Sequence, residues 1–343
     1  MMHGYRSVTL DTLELLPWIM PSVISRGHVF VYKHMPKLFG VGYRFEERVD
    51  NPKLICRQSA IGADELYRYI IAGGYDTVIC VHVFSALTMT EIRKKFKPNI
   101  KIYFVATDYT CSPGVSAEKM DAYFVPKGLT DEFVSCGVDR RRIFESGIPV
   151  RYAFYRHADK KAAKKSFGLD EDGRAVLIMC GSMGCGPVFE LAERLSETLP
   201  SDVQIAVVCG SNEKLCDELS VLDGKRVKVF GFINNVELLM DACELIMTKP
   251  GGLSSTEAMT KGLPVICIDA VPGCETRNLE FFRAHGYAEY AENVGGLVSL
   301  AESFFDGGEK FDKIKKNIMR DFSYPASEAI YEVVARKGSE NFG

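Results

Sequence analysis

Glu257 lies five residues past Gly252 in the stretch Lys249-Pro-Gly-Gly-Leu-Ser-Ser-Thr-Glu-Ala-Met. Gly251 and Gly252 let the backbone turn sharply and leave room for a ligand to approach it. Leu253 and Ser254 carry the chain into a helix, and Ser254, Ser255 and Thr256 are residue types that open helices. A helix start offers unsatisfied N–H groups and a positive dipole end, which suits a phosphate. Glu257 in the first turn would complement that dipole, or accept the two hydroxyls of a ribose. A plain turn in a parallel sheet would use the same Gly-Gly pattern, so this stretch needs company before it means a ligand.

Two further turns supply it. Gly181-Ser182-Met-Gly184-Cys-Gly-Pro187 follows the apolar run Ala175–Cys180 and precedes a helix from Val188. It again brings backbone N–H groups toward an anion, although it is neither a P-loop nor a strict dinucleotide fingerprint. Gly231-Phe232-Ile233-Asn-Asn follows Val227–Phe230, and its Phe232–Ile233 pair could flank a base ring. Past the strand Val265–Ile268, Cys274, Glu275 and Asn278 could reach a sugar on the diphosphate, while Glu275 could equally sit in a helix's first turn. Asp108 follows the apolar run Ile100–Ala106 and is a candidate base or hydroxyl binder, or a loop anchor. His82 also stands at a strand end and reads equally as a satisfied imidazole.

Strand-like runs alternate with helical stretches in both halves, which predicts α/β units with parallel, doubly wound sheets. In the second half the order is β-loop-α-β-α-β-loop-α-β-GlyGly-α-β. In such a sheet, turns distant in sequence meet at the carboxyl edge of the strands. That convergence predicts one nucleotide pocket: base at Phe232 and Ile233, ribose at Glu257, diphosphate at Gly181–Gly184 and Gly251–Ser255.

The 343 residues suggest two domains, expected over 1–150 and 151–320, with a last helix in 321–343 returning to the first. A net charge of −3 argues against a general nucleic-acid binder. The 11 cysteines form no C-x-x-C pair and no zinc spacing, so no metal is expected. Buried thiols in a reducing cytosol are the better reading. No apolar run is long enough to span a bilayer. Pro17–Phe45 mixes aromatic and apolar residues with Arg26, Lys33, Lys37 and Arg44. Trp18–Phe39 is therefore a candidate for docking on an anionic membrane, or a long connection with its apolar side inward. Gly4–Leu13 reads as a helix end, a turn and a strand, the second strand of a βαβ unit whose first strand, glycine turn and helix have no counterpart here.

These motifs resemble the donor half of glycosyltransferase family 28. The resemblance rests on Gly231-Phe-Ile-Asn-Asn, Thr248-Lys-Pro-Gly-Gly-Leu-Ser-Ser-Thr-Glu-Ala-Met, Lys261-Gly-Leu-Pro and Pro272-Gly-Cys-Glu-Thr-Arg-Asn. The nearest branch is that of monogalactosyldiacylglycerol synthase and the processive diacylglycerol glucosyltransferases. Thr107-Asp-Tyr109, Val115 to Pro126 and Ser146-Gly-Ile-Pro-Val150 are similar to that branch's acceptor domain. The resemblance implies a glycosyltransferase B fold, two Rossmann-like domains with a cleft between them. It implies Glu257 on the ribose, the backbone at Ile233 on uracil, and the loops at Gly181–Gly184 and Gly251–Ser254 on the diphosphate. Cys274 and Glu275 would contact the donor sugar. It also implies inverting, metal-independent transfer from a UDP-sugar co-substrate to a lipid acceptor such as diacylglycerol, with no separate cofactor. The expected location is cytoplasmic, peripheral on the anionic inner face of the plasma membrane.

The chain departs from the branch at three places. The family's first glycine-rich loop, with a histidine proposed as base, is not present, so Asp108 is the candidate base or its partner. Cys274 stands where the branch usually has Gln. The acceptor loop after Asp108 is short and lacks the branch's His and Trp residues. Two other readings share this architecture: a UDP-N-acetylglucosamine 2-epimerase, and a non-catalytic UDP-sugar-binding protein.

Overall fold

The structure is a computed structural model that describes residues 6–12, 62–115, 119–181 and 186–339. It divides into two compact units. The first comprises residues up to 106, 111–124 and 130–144; the second comprises 107–110, 125–129 and everything from 145 onward. The division falls at 144/145 rather than 150, and the last helix groups with the second unit rather than the first.

In the first unit, α1 (Ala63–Ala72) precedes β1 (Thr77–Cys80), α2 (Val83–Phe96) and β2 (Lys101–Val105). β3 (Ala122–Val125), α3 (Thr130–Ser135) and β4 (Ile143–Glu145) follow. The strands lie in the order β1-β2-β3-β4. β2 runs parallel to both neighbours, with Thr77 opposite Lys101 and Tyr103 opposite Ala122. β3 is buried along its whole length, the signature of a strand covered on both faces. Residues 6–12, the described part of the strand expected at Gly4–Leu13, form no strand. The Trp18–Phe39 segment expected to dock on a membrane lies outside the described residues. Arg140 and Arg141 are held at 2.7 Å by Asp131 and Asp139, so the basic run is a paired, solvated face.

The second unit opens with α4 (Lys160–Ser166) and β5 (Arg174–Met179). There follow α5 (Val188–Thr198), β6 (Val203–Val208), α6 (Glu213–Leu219), β7 (Val227–Phe230), α7 (Val236–Ala242) and β8 (Leu245–Thr248). The chain then forms α8 (Gly252–Thr260), β9 (Val265–Cys267), α9 (Cys274–Ala284) and β10 (Ala288–Tyr290). Three helices close it: α10 (Val294–Phe305), α11 (Glu309–Phe322) and α12 (Ala326–Ser339). Among the described residues no helix is long and apolar enough to cross a membrane.

The sheet order is β10-β9-β8-β5-β6-β7, and all five neighbouring pairs are parallel. From β5 the chain winds outward through β6 to β7, then returns across β5 and continues outward from β8. Right-handed crossovers therefore put α5 and α6 on one face and α7, α8 and α9 on the other. Ala175–Met179 and Leu245–Thr248 are buried throughout, as central strands between two helix layers must be.

The edge where strands begin is fastened by ions. Lys261, after α8, donates to the Arg156 carbonyl and sits 2.7 Å from Asp241 in α7. Their side chains are 1% and 7% exposed, so the pair is shielded from water. Removing one partner strands the other charge, which costs about 3–5 kcal/mol, whereas replacing both with apolar groups is close to neutral. Lys261→Met should lower the unfolding free energy by about 3 kcal/mol, and the double variant Lys261→Met/Asp241→Leu should regain most of it. Urea titration reads both; equal losses in the two variants would refute the assignment.

Candidate active site

All the parallel strands of the second unit end at one edge, and the winding reverses between β5 and β8. Helices leave to opposite faces there, so a crevice opens where Gly181 and Pro250–Gly252 stand side by side. Gly181 has φ +68° and meets nothing within 4 Å of where a Cβ would stand. Gly181, Gly186 and Pro187 are the described residues of this loop; Ser182 and Gly184 lie outside the described residues. With neighbouring strands about 4.8 Å apart, Phe232 lies roughly 10–15 Å along this edge, about the length of an extended nucleoside diphosphate. Phe232 is 70% exposed, and Ile233 beside it is half-buried.

The helix after β8 starts earlier than its residue types predict. α8 begins at Gly252, with Gly251 as N-cap and no side-chain cap. Ser255 and Thr256 do not open it: their hydroxyls turn back to the carbonyls of Lys249 and Gly252. Its first N–H groups are left without a side-chain acceptor, which suits an incoming anion. Leu253 is 51% exposed and Ser254 half-buried.

Glu257 therefore sits in the second turn of α8, not the first. Burial pushes its carboxyl up to about 7; Arg151 opposes the shift and Glu237 adds to it. Arg151 and Glu237 are themselves paired at 3.0 Å. Glu237 occupies the first turn of α7, directly after the Phe232–Asn235 loop. The charges that bear on Glu257 thus include one at the start of the helix that follows that loop.

The two glycines of the turn do different jobs. A Cβ on Gly251 meets nothing within 4 Å, but one on Gly252 would stand 1.9 Å from the Thr107 carbonyl oxygen. Gly252 is glycine because the Thr107–Thr110 loop packs on it. Asp108 stands there with its Oδ1 accepting from Asn278 Nδ2 at 2.9 Å. The same Nδ2 donates to the Pro250 carbonyl at 3.0 Å, and Asn278 Oδ1 accepts from the Tyr109 N–H at 2.7 Å. Tyr109 Oη meets Thr256 Oγ1 at 2.7 Å. Asn278 is fully buried, so its amide is committed to these bonds and not turned to a sugar.

Cys274 opens α9 and is half-buried; Glu275 follows, with Oε2 accepting from the Val271 N–H at 2.8 Å. That is the helix-start reading of Glu275. At the end of β9, Asp269 holds a left-handed φ of +46° and pairs with Lys249 at 3.2 Å. Sequence reasoning passed over this pair, although a Lys before Gly-Gly was a usable signal. His82 caps α2 by accepting from the Phe84 N–H at 3.2 Å, the satisfied imidazole of the alternative reading.

Comparison with known proteins converges on one class. Residues 1–150 match the family model for monogalactosyldiacylglycerol (MGDG) synthase, and residues 184–321 match that for glycosyl transferases group 1. The spinach chloroplast monogalactosyldiacylglycerol synthase is 29% identical over 334 residues, covering 94% of this chain and 63% of that enzyme. A processive diacylglycerol beta-glucosyltransferase of Bacillus cereus strain AH187 is 30% identical over 312 residues, 89% of this chain and 79% of its own. Among solved structures, the S. aureus MnaA–UDP complex superposes with a TM-score of 0.62 at 15% identity, covering 83% of this chain and 79% of that one. Acinetobacter baumannii MurG gives 0.57 at 13%, covering 82% and 78%. Two parallel-sheet units with a glycine-lined switch point, and these likenesses, define a glycosyltransferase of the B fold. The chain belongs to glycosyltransferase family 28, in the branch of the monogalactosyldiacylglycerol synthases and processive diacylglycerol glucosyltransferases. It spans less than two thirds of the spinach enzyme's length.

The unequal glycines give a direct check. Gly251→Ala should change stability by less than about 0.5 kcal/mol. Gly252→Ala must displace the Thr107 backbone and should cost about 2–3 kcal/mol. Denaturant midpoints measure both, and equal costs would contradict the packing described.

Proposed function

We propose that this chain transfers a hexose from a UDP-sugar to the hydroxyl of a diacylglycerol-type lipid, inverting the anomeric centre without a metal. The acceptor oxygen attacks the anomeric carbon as the bond to the diphosphate breaks. Asp108 takes the hydroxyl proton, directly or through a partner, and UDP departs onto the uncapped start of α8. Ionised Glu257 accepts from the ribose hydroxyls, and the Phe232–Ile233 loop takes the uracil. Cys274 and Glu275 face the hexose. The acceptor class follows the relatives, which act on diacylglycerol by name. Such an acceptor requires work at a membrane surface, and the cytoplasmic face of the plasma membrane, where UDP-sugars and anionic lipid meet, is the proposed place.

The observation that most supports this reading is the uncapped start of α8 beside open Gly181 at the β5–β8 reversal. Glu257 stands one turn further into that helix. Isothermal titration with UDP tests it: Glu257→Ala should weaken binding at least tenfold, about 1.4 kcal/mol. Unchanged affinity would remove the pocket assignment. Turnover with diacylglycerol vesicles and UDP-glucose or UDP-galactose tests the reaction. Conversion of UDP-N-acetylglucosamine to its manno epimer without lipid would point to an epimerase instead.

The raised carboxyl of Glu257 sets a pH dependence. Only the ionised form accepts two hydroxyl hydrogen bonds, so UDP should bind about tenfold more tightly at pH 8 than at pH 6. Glu257→Gln should flatten this difference; an equally steep profile in that variant would assign it elsewhere. Without ligand the sign reverses. The folded chain keeps a proton that the unfolded chain releases between about 4.5 and about 7, so this group favours folding most below that window and less as pH rises through it.

A further inference from the structure

The Thr107–Thr110 loop groups with the second unit although the rest of its neighbourhood in sequence does not. Its attachment combines a buried polar network with aromatic packing. Asn278 is the centre: a 0% exposed carboxamide bonded to Asp108 Oδ1, the Pro250 carbonyl and the Tyr109 N–H. Tyr109 Oη then meets Thr256 Oγ1, which donates to the Gly252 carbonyl at 2.6 Å. The Tyr109 ring also packs against Phe281 and Phe282 of α9, with centroids 5.1 and 4.7 Å away.

From this network we propose that Asn278 is a positioning residue that holds Asp108 by one carboxylate oxygen and leaves Oδ2 for the acceptor hydroxyl. The proposal rests on the reading of Asp108 as the proton acceptor. The amide carries two N–H bonds, and both point at parts of the site that must stay in register. One goes to the carboxylate; the other goes to Pro250, immediately before the turn that receives the diphosphate. A single planar group thus fixes the distance between the proton acceptor and the leaving-group loop. Glu275 stands one turn earlier on the same helix, so the sugar-side residues share this rigid body. An aspartate carboxylate left to rotate about its own side-chain bonds would point neither oxygen at the acceptor part of the time. Pre-orientation of this kind accelerates a reaction without adding a contact to substrate.

The test uses the full chain with two variants. Asn278→Ala removes all three bonds. Asn278→Asp is nearly isosteric: it can still accept from Tyr109 but turns a carboxylate oxygen toward Asp108. Amide exchange in the peptide containing Tyr109 reads the tether itself. Exchange should quicken at least tenfold in Asn278→Ala and stay near the parent rate in Asn278→Asp. Steady-state kinetics with UDP-glucose or UDP-galactose and diacylglycerol vesicles reads the role. Both variants should lose at least tenfold in kcat, with donor KM and the UDP dissociation constant within threefold of the parent. Unchanged exchange in Asn278→Ala, or parent kcat in Asn278→Asp, overturns the proposal. Loss of UDP binding in both variants overturns it too, since Asn278 would then serve the donor pocket. Asp108→Asn separates the two levels: parent turnover there sinks the reading of Asp108 as base, while amide exchange still decides whether Asn278 holds the loop.

Discussion

The second unit depends on one constraint: its strands all point the same way, and the chain reverses its winding between β5 and β8. Parallel strands require crossovers, crossovers are right-handed, and so helices leave the reversal point on opposite faces. Nothing regular can fill the gap between those two departures. The chain meets it with backbone instead of side chains, through Gly181 on one side and Gly251 on the other. An edge of bare N–H groups at the start of a helix is an anion site by construction. The remaining features of the edge modify it: Phe232 stands farther along, and a carboxyl with raised proton affinity stands one turn into the helix.

The opposite edge is built differently. Its charges are buried and matched, as in the Lys261–Asp241 pair, and buried Lys164 is held by Glu244 at 3.3 Å. The contrast has a physical sense. Groups that satisfy one another stabilise a fold but have nothing to offer a ligand, whereas groups left facing a crevice are available for binding at some cost to stability. Asn278 is a third case, polar and saturated but lying beneath the functional edge, where it fixes the loop that carries Asp108.

Much of the fold was legible because the central strands are short, buried apolar runs between helices. Leu245–Thr248 and Val265–Cys267 can be read from apolar character alone. β10 could not, being three residues at the sheet's edge. α10 begins Val294-Gly-Gly, a poor helix opening rescued by the Asn293 cap on the Gly296 N–H. For the site, the glycine turns and Glu257 were legible as motifs, since each is a local pattern with a local cause. The start of α8 was not, because Ser255 and Thr256 have the chemistry of caps and serve inside the helix instead. The role of Asn278 was also hidden. Its partner Asp108 lies 170 positions away, and nothing in either segment shows that the other exists. Likewise Gly252 looks like a ligand-facing glycine until the Thr107 carbonyl is found against it.

The most direct test of the account is a crystal structure of this chain with UDP. The account predicts the diphosphate against the backbone N–H groups of Leu253 and Ser254, the ribose hydroxyls on Glu257, and uracil beside Phe232 and Ile233. UDP bound away from the β5–β8 reversal, or bound there with Glu257 turned from the ribose, would contradict it.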